Sequence, residues 1–469
     1  MVLPTYSTMP IQANPLISEP NQDMNDSHFR IGPAIAVALA AVVLGARFFW
    51  IIRKYSVNIF FMDQWDYLTP FFQQKATFAN LFFLEHGPHR EGVGLLADKF
   101  LYPLTHWNAR VDSFVIGSIA FASMLVALRL RYLLYGALSY SDIAIPAICL
   151  TMQQYEMVLF TPNPSHSHFP LLMTLLYCLA LIAPNRLLRY AGILLLNFLL
   201  IYTGFGIFMG VITLCIFFLE SYWSGRRMIG IPFAYPFTAL LIASASLGSF
   251  FFHYVWQSAA ACFELPHNHW LRYPQFMALM FSAFVIPGAM TVTSGKKIIG
   301  WVILLSVIIV LRHHILRLLN SPNSPNHLIG AVLLSFSLLF AANTAVGRCC
   351  LGPAVALSSR YMPLLIPAFL AIYFYLLSKS WDDKRKLIVA AWVILILPAA
   401  VSIPRNSIRP YINGKRQWAN CYVRTGDLQY CDKSTNFVIF PDPERTHLQQ
   451  KLDYLRQNHL NLFAEPVAQ

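Results

Sequence analysis

The chain has 469 residues, of which 57% are hydrophobic and only 12% are charged, and its formal net charge is +13. A soluble protein would carry about 25% charged residues, so this composition excludes an ordinary soluble domain. Several apolar runs reach the roughly 18–20 residues that cross a bilayer core, and the alternating strand signals of a barrel are absent from the sequence. We therefore expect an all-α polytopic membrane protein.

Much of the positive charge lies in short turns between apolar runs, for example at Arg129 and Arg131 and at Arg226 and Arg227. This is the positive-inside pattern of a multi-pass membrane protein. Since the pattern reports topology, it is not evidence for nucleic-acid binding. We expect membrane lipids and no nucleic acid among the partners.

The N-terminal residues 1–31 are polar and lack the pattern of a cleavable signal peptide. They predict a disordered cytoplasmic tail, followed by a transmembrane domain over 32–404. The first span covers 33–52, and the next covers 113–128 and ends at two arginines. Because those arginines place its end in the cytoplasm, the intervening segment 53–112 is predicted to be a large extracytoplasmic loop.

Two clusters of charged residues lie in this first loop. The first holds Asp63 and Asp66, whose spacing places both on one face of a helical turn. The second consists of Glu85, His86, His89, Arg90 and Glu91. A chain with so few charges does not need this concentration for solubility. We interpret the loop as the chemical centre of the protein.

The aspartates suit general-base catalysis, in which one of them takes a proton from an acceptor hydroxyl. Their spacing also suits a divalent cation, and the structural alternative is capping of a helix N-terminus. Pro88 disfavours a continuous helix through His86 and His89. We expect these histidines to contact substrate hydroxyls or to orient other groups of the site. A metal site at the two histidines is the less favoured alternative, and we assign no residue to a metal. The cofactors are unknown, with a divalent cation as the candidate.

The apolar segment 143–160 is interrupted by polar residues that include Glu156. A glutamate inside the membrane costs about 2.5–3.5 kcal/mol unless it faces protein or water. Two interpretations of Glu156 stay open, a place in or near the cavity and a place at the membrane interface. Histidine-rich external loops are predicted at 161–168 and 264–272, and their histidines are more typical of an interface than of catalysis.

The stretch Leu187–Glu220 is predicted to form two short spans that turn at Gly204 and Gly206. The region 275–319 fits either two full spans or one span plus a half-buried helix over Phe276–Met290. Further spans follow at 328–346, 361–378 and 387–403. The basic turn before the last span favours about eleven crossings, within a range of about 10–12.

The C-terminal tail, 405–469, is polar and follows the last predicted span. An odd number of crossings places it on the extracytoplasmic side, and an even number would place it inside. We expect a disulfide between Cys421 and Cys431 if the tail faces an oxidising compartment. Near its end, Leu448, Leu452 and Leu455 recur with helical spacing.

A late motif lies between two predicted spans and contains Arg348, Arg360 and Tyr361. Two arginines at the outer ends of adjacent spans suit an anionic lipid headgroup, since a guanidinium offers a bidentate fork to phosphate. The alternative is interfacial snorkelling of the two side chains.

Together, Asp63-Gln64-Trp65-Asp66, His86-Gly87-Pro88-His89-Arg90, Gly347-Arg348 and Ser359-Arg360-Tyr361 resemble the motifs of uncharacterised bacterial membrane proteins grouped near the GT-C glycosyltransferases. The resemblance covers roughly 33–403 and part of the tail. One departure is Gly87-Pro88, where the family pattern has Asn-Glu. An acid is thereby lost between the histidines, and Glu85 or Glu91 is the candidate to replace it.

The resemblance implies a bacterial inner-membrane enzyme that moves a sugar from a polyprenyl-phosphate donor to a glycan or lipid acceptor on the extracytoplasmic face. It implies Asp63 or Asp66 as the catalytic base. Glu85, His86, His89, Arg90, Glu156, Arg348, Arg360 and Tyr361 are then the expected substrate-binding residues. Rival hypotheses are a transporter or flippase, a polymerase or ligase of lipid-linked glycans, and a purely structural membrane protein.

Overall fold

The structure, a computed structural model, describes residues 31–256, 260–288, 290–378 and 382–464. Its longer helices are α1 (Ile31–Tyr55), α5 (Gly92–Thr105), α6 (Ala109–Tyr135), α8 (His168–Leu181), α9 (Arg186–Ile201), α10 (Ile207–Gly225), α11 (Ala234–Phe250), α12 (Arg272–Val285), α13 (Ser294–Asn320), α14 (Pro325–Arg348), α15 (Met362–Leu377), α16 (Asp383–Val401), α17 (Arg405–Thr425) and α19 (Leu448–Gln457).

The shorter helices are α2 (Gln64–Tyr67), α3 (Thr69–Phe72), α4 (Phe78–Phe82), α7 (Ala144–Cys149) and α18 (Leu428–Thr435). Two short strands, β1 (Glu85–His86) and β2 (His89–Arg90), form an antiparallel hairpin. The predicted N-terminal tail lies outside the described residues except for Ile31, which begins α1.

Seven helical segments among the described residues are long and apolar enough to cross a membrane. They are Ile31–Tyr55, Ala109–Tyr135, Ile207–Gly225, Ser294–Asn320, Pro325–Leu351, Ser359–Leu377 and Asp383–Thr425. Two shorter apolar helices, α8 and α11, have 14 and 17 residues. The chain is an all-α multi-pass membrane protein, as its composition predicts, while the total of about eleven crossings stays a prediction.

The helices α1 and α6 run in opposite directions and define two ends of the bundle. At one end, a Cβ placed on Gly32 would lie 2.8 Å from the Tyr140 hydroxyl oxygen, so the start of α1 touches the turn after α6. At the other end, the backbone N–H of Ala109 donates to Asn58 Oδ1 over 3.0 Å. The predicted catalytic loop therefore begins and ends at this second end of the bundle.

The stretch Leu187–Glu220 forms the two helices α9 and α10, with the predicted turn at the glycines between them. Gly206 is required at this turn because a Cβ there would lie 1.7 Å from the carbonyl oxygen of Leu200. The turn brings the neighbouring Phe205 to the charged cavity described below.

The ambiguous region 275–319 contains one short helix and one span-length helix. The short helix, α12, has 14 residues and is therefore about 21 Å long, less than the roughly 30 Å of a bilayer core. The next helix, α13, has 27 residues. The structure thus agrees with one span plus a half-length helix, although that helix begins and ends earlier than the predicted Phe276–Met290.

The interrupted segment before α8 is irregular and buried. It consists of the short helix α7, a single 3-10 turn at Met152–Gln154 and one π-helical turn at Glu156–Phe160. Irregular backbone is tolerated at membrane depth only where protein or a cavity surrounds it. The segment therefore belongs to the interior of the bundle and supports the cavity wall.

The C-terminal tail packs onto the first loop. Lys451 Nζ donates to Thr69 Oγ1 over 2.8 Å, and Asn58 Nδ2 donates to the carbonyl oxygen of Asn461 over 2.8 Å. The leucines at 448, 452 and 455 are buried on one face of α19, as their spacing predicts. The tail thus holds the charged loop in place.

Two disulfides lie in the described residues. One joins Cys421 to Cys431, the pair named from the sequence. The other joins Cys262 to Cys350, a pair that their positions in the sequence do not indicate. The second disulfide ties the loop after α11 to the segment that follows Arg348, so it fixes one wall of the cavity.

Candidate functional site

A charged cavity of about 500 Å³ lies at the end of the bundle formed by the first loop. Its walls come from α2, the β1–β2 hairpin, the loop before α8, the turn before α10, the ends of α14 and α15, and the tail. The predicted residues that line it are Asp63, Asp66, Glu85, His86, His89, Arg348, Arg360 and Tyr361. The structure therefore gathers residues that lie up to about 300 positions apart in the sequence into one space.

The two aspartates are held by the short helix α2 but differ in their surroundings. Trp65, between them, is fully buried, and Gln64 Nε2 donates to the carbonyl oxygen of Pro162 over 3.2 Å. These contacts turn both acids toward the cavity. Asp63 is exposed and makes no capping hydrogen bond, so the capping alternative does not apply to it.

Asp66, by contrast, has a partner from the tail. Arg445 Nη2 lies 2.9 Å from Asp66 Oδ2, and 68% of the arginine side chain is exposed. Within the described residues, the Asp63 side chain makes no hydrogen bond or ion pair. Of the two acids, Asp63 is the one whose carboxylate is open to a molecule in the cavity.

The second charged cluster folds as a hairpin whose turn is Gly87-Pro88. Gly87 has a φ of +58°, a left-handed conformation that glycine adopts at no steric cost. The register pairs His86 with His89 and Glu85 with Arg90. Since neighbouring residues of a strand point to opposite faces, the histidines and Arg90 face different ways.

Arg90 is therefore buried behind the cavity and does not line it. Its Nε donates to the carbonyl oxygen of Phe250 over 2.8 Å, and its Nη2 lies 3.1 Å from Glu85 Oε1. The predicted contact between Arg90 and a substrate stays a prediction, since Arg90 lines a separate cavity beside Phe252. The side chain also anchors the hairpin to the end of α11.

Glu91, which the sequence offered only as a replacement acid, is the centre of a buried cluster. His86 Nδ1 lies 3.0 Å and His166 Nε2 lies 2.9 Å from Glu91 Oε1. Asn163 Nδ2 donates to the other oxygen, Glu91 Oε2, over 2.7 Å. This cluster connects the hairpin to the loop before α8.

Charge is distributed unevenly among these groups. Burial alone lowers the pKa of His86, but its hydrogen bond to Glu91 and the charge of Glu91 raise that pKa to about 9. Burial opposes the charged form of Glu91, yet the charges of His166 and His86 hold its pKa well below its usual range. For His89, burial and the neighbouring charge of His166 lower the pKa to about 3. His89 therefore stays neutral and packs on Phe205, with ring centroids 4.3 Å apart.

The cavity wall also carries two arginines. Arg348 ends α14, and Arg360 lies in a 3-10 turn before α15. Arg360 Nε lies 3.0 Å from Glu156 Oε2, and Ser358 Oγ donates to the same carboxylate oxygen over 2.6 Å. Glu156 is buried, so protein groups and not interfacial water satisfy it. It positions Arg360, whose side chain remains 47% exposed.

His166, Asn163 and Phe205 also line the cavity, although the sequence does not indicate a role for them there. His166 and Asn163 belong to the histidine-rich loop 161–168, whose histidines are more typical of an interface. The hydrogen bond between Asn163 and Glu91 joins residues 72 positions apart, and a single sequence does not show such a pairing. The signal that was available is the density of histidine and asparagine in a loop next to the interrupted span.

A grouping of side chains suited to a metal ion lies in this cavity wall. Among the described residues it consists of His86, Glu91 and His166. A divalent cation held by Asp63 and Asp66 stays a prediction.

Fold and site together define a multi-pass α-helical membrane protein with a charged cavity at one end of its bundle. Comparison with protein-family models, with curated proteins and with solved structures found no match.

Proposed function

We propose that the protein is a membrane glycosyltransferase of the GT-C type, with about eleven crossings, that uses a polyprenyl-phosphate-linked sugar. The observation that carries this proposal is the placement of one open carboxylate, Asp63, in the same cavity as two arginines, Arg348 and Arg360. Sugar transfer from a phosphate uses a base for the acceptor hydroxyl and positive charge for the leaving phosphate. The unpaired Asp63 carboxylate and the two arginine guanidinium groups suit these two roles.

In this reaction Asp63 accepts the proton of the acceptor hydroxyl while the hydroxyl oxygen bonds to the anomeric carbon of the sugar. The bond between that carbon and the donor phosphate oxygen breaks. Negative charge then develops on the leaving phosphate, where Arg348 and Arg360 stabilise it. Glu156 holds Arg360 for this role, and His89 and Tyr361 offer contacts to the sugar or the acceptor.

The two disulfides support an extracytoplasmic position for the cavity. Cys350 lies two residues after Arg348, and the Cys421–Cys431 bond lies in the tail that covers the first loop. Disulfides persist in oxidising compartments such as the bacterial periplasm. We accordingly place the reaction on the outer face of a bacterial inner membrane, with an envelope glycan or lipid as the acceptor.

The test is transfer of labelled sugar into envelope glycans in cells that carry Asp63→Asn, Asp66→Asn or Arg348→Ala. Asp63→Asn should lower transfer by about 100- to 10,000-fold, the range for loss of a general base. The matched control is Asp383→Asn, since the Asp383 side chain is 97% exposed at the start of α16. Equal amounts of each variant in the membrane are required.

Full transfer by all three variants together with normal membrane insertion would remove the enzyme hypothesis and favour a transporter of lipid-linked glycans. A larger loss in Asp66→Asn than in Asp63→Asn would reverse the assignment of the base.

A further inference from the structure

Three side chains meet at one point in the cavity wall. The candidate ligand atoms of His86, Glu91 and His166 all lie within 4.8 Å of one another. Around a tetrahedral zinc ion, with bonds of about 2.0–2.2 Å, two ligand atoms lie about 3.4 Å apart. The two imidazole nitrogens lie 3.0 and 2.9 Å from Glu91 Oε1. Small side-chain movements would therefore bring all three atoms to coordination distance.

Both histidines pair with Glu91, and these pairs hold the cluster when no metal is bound. His166 Nε2 is buried and lies 2.9 Å from Glu91 Oε1, but it is not aligned for a hydrogen bond. His86 Nδ1 uses the same carboxylate oxygen. Two imidazole nitrogens thus approach one oxygen, while its twin is occupied by Asn163. Two imidazole nitrogens and one carboxylate oxygen that meet at one point also form a donor set for a transition-metal ion.

The surroundings hold the three ligands in place without a metal. Asn163 Nδ2 donates to Glu91 Oε2 over 2.7 Å and so fixes the plane of the carboxylate. Ser165 Oγ donates to the carbonyl oxygen of Glu91 over 2.9 Å, and the backbone N–H of Gly94 donates to Ser165 Oγ over 2.8 Å. Outer hydrogen bonds that orient a ligating carboxylate are a common feature of metal sites.

The donor atoms select the class of cation. Two imidazole nitrogens and one carboxylate oxygen suit zinc and neighbouring transition metals, whereas Mg²⁺ and Ca²⁺ prefer oxygen ligands. Three protein ligands leave a fourth position, as in catalytic zinc sites. Both His86 and His166 line the cavity, so this position faces the space beside Asp63 and Arg348.

We propose that His86, Glu91 and His166 bind one divalent transition-metal ion of the zinc class, with an open coordination position toward the cavity. Binding itself does not depend on the sugar-transfer hypothesis. Only the use of the open position, on a phosphate or hydroxyl oxygen of a substrate, rests on the proposed function.

The experiment uses the full chain, purified in detergent without a polyhistidine tag and stripped with a chelator. Zinc alone is then added, and the bound metal per chain is measured by mass spectrometry after removal of free ion. The protein carries Cys215→Ser throughout, because Cys215 is a free and exposed thiol and thiolates are zinc ligands. We expect one zinc ion per chain, retained in the presence of millimolar Mg²⁺.

The variants His86→Gln and His166→Gln should each weaken zinc binding by at least about 100-fold, and Asn163→Ala, which removes an outer hydrogen bond, by about 10- to 100-fold. The matched control is His459→Gln, since His459 is exposed in the tail and lies outside the cluster. It should bind zinc as the parent protein does. Zinc should also raise the melting temperature of the parent and of His459→Gln, but not that of His86→Gln or His166→Gln.

A parent protein that binds no zinc would overturn the proposal, and so would unchanged stoichiometry and affinity in both His86→Gln and His166→Gln. Failure of sugar transfer is a separate result. If zinc binds as expected while Asp63→Asn, Asp66→Asn and Arg348→Ala all leave transfer intact, the metal site stands and the enzyme hypothesis falls. If Asp63→Asn abolishes transfer and the parent binds no zinc, the enzyme hypothesis stands and the metal site falls.

Discussion

Two regions of the molecule use charged residues in opposite ways. Near the turn after α6, Arg131 and Asp142 form a closed pair, with Arg131 Nε 2.8 Å from Asp142 Oδ1. The Tyr373 hydroxyl donates to Asp142 Oδ1 over 2.7 Å, and the backbone N–H of Ser139 donates to Asp142 Oδ2 over 2.6 Å. These buried charges are satisfied by one another and by their neighbours.

The cavity at the other end leaves charged groups incompletely paired. Asp63 is exposed, Arg360 keeps nearly half of its side chain accessible, and His166 Nε2 lacks an aligned hydrogen bond. A closed pair stabilises a fold or specifies its geometry, whereas charged side chains without a full set of partners are available to bind a ligand. The contrast separates charged residues that hold the bundle together from those that are available for chemistry.

The largest effect should come from opening the closed pair. Asp142→Ala leaves the buried Arg131 guanidinium without its carboxylate, and loss of one partner of a buried pair costs about 3–5 kcal/mol. Asp63→Asn, in the open cavity, should change the free energy of unfolding by less than about 0.5 kcal/mol. Both changes in the free energy of unfolding are measured by reversible unfolding in mixed detergent micelles. Equal losses in the two variants would erase the distinction between the regions.

A smaller effect is expected at the contact between the tail and the first loop. Lys451 is buried, and its Nζ donates to Thr69 Oγ1 over 2.8 Å and to the carbonyl oxygen of Trp65. Lys451→Met leaves these acceptors without their donor and should cost about 1–3 kcal/mol. Hydrogen exchange of the α19 amides and sensitivity of the tail to protease measure the loss. Lys433→Met, at an exposed position of α18, is the matched control and should change neither.

The same lysine predicts a dependence on pH. Burial lowers the pKa of Lys451 to about 8, although the charge of Asp66 works against this shift. Between about pH 8 and pH 10.4, the unfolded lysine keeps its proton and the folded lysine does not, so folding becomes more favourable as the pH rises. Below about pH 8 this contribution is lost. The protection factors of the α19 amides in hydrogen exchange should therefore increase from pH 7 to pH 10 in the parent relative to Lys451→Met. The same pH dependence in both proteins would contradict the lowered pKa of Lys451.

The helical membrane class could be predicted because long apolar runs and basic turns are local signals. The break in Gln153–Glu156 and the turn at Gly206 were also visible, since a polar interruption and a close backbone approach leave a mark in a few residues. Whether α12 crosses the membrane is not decided by the sequence, because the length of an apolar run alone does not show how deeply a helix enters the bilayer.

The site was predictable only in part, for a different reason. The clusters at Asp63 and at the hairpin are dense enough to stand out in a chain with few charges. The orientation of Arg90 was not visible, because it depends on the strand register and on contacts with α11. The partnership of Glu91 with His166 depends on how the loop before α8 folds back onto the hairpin. Such long-range geometry is set by packing and not by local sequence.

The smallest effect should come from the pair between Asp66 and Arg445, which tests whether the two aspartates of α2 differ. The nitrogen and oxygen lie 2.9 Å apart, but 68% of the arginine side chain and 22% of the aspartate side chain are exposed. Exposed pairs contribute about 0–1 kcal/mol because water and salt screen them. A double-mutant cycle with Arg445→Ala and Asp66→Asn should give a coupling energy in this range that decreases as salt is added. A coupling above about 2 kcal/mol, insensitive to salt, would place Asp66 among the closed pairs, and it would leave Asp63 as the single open acid of the helix.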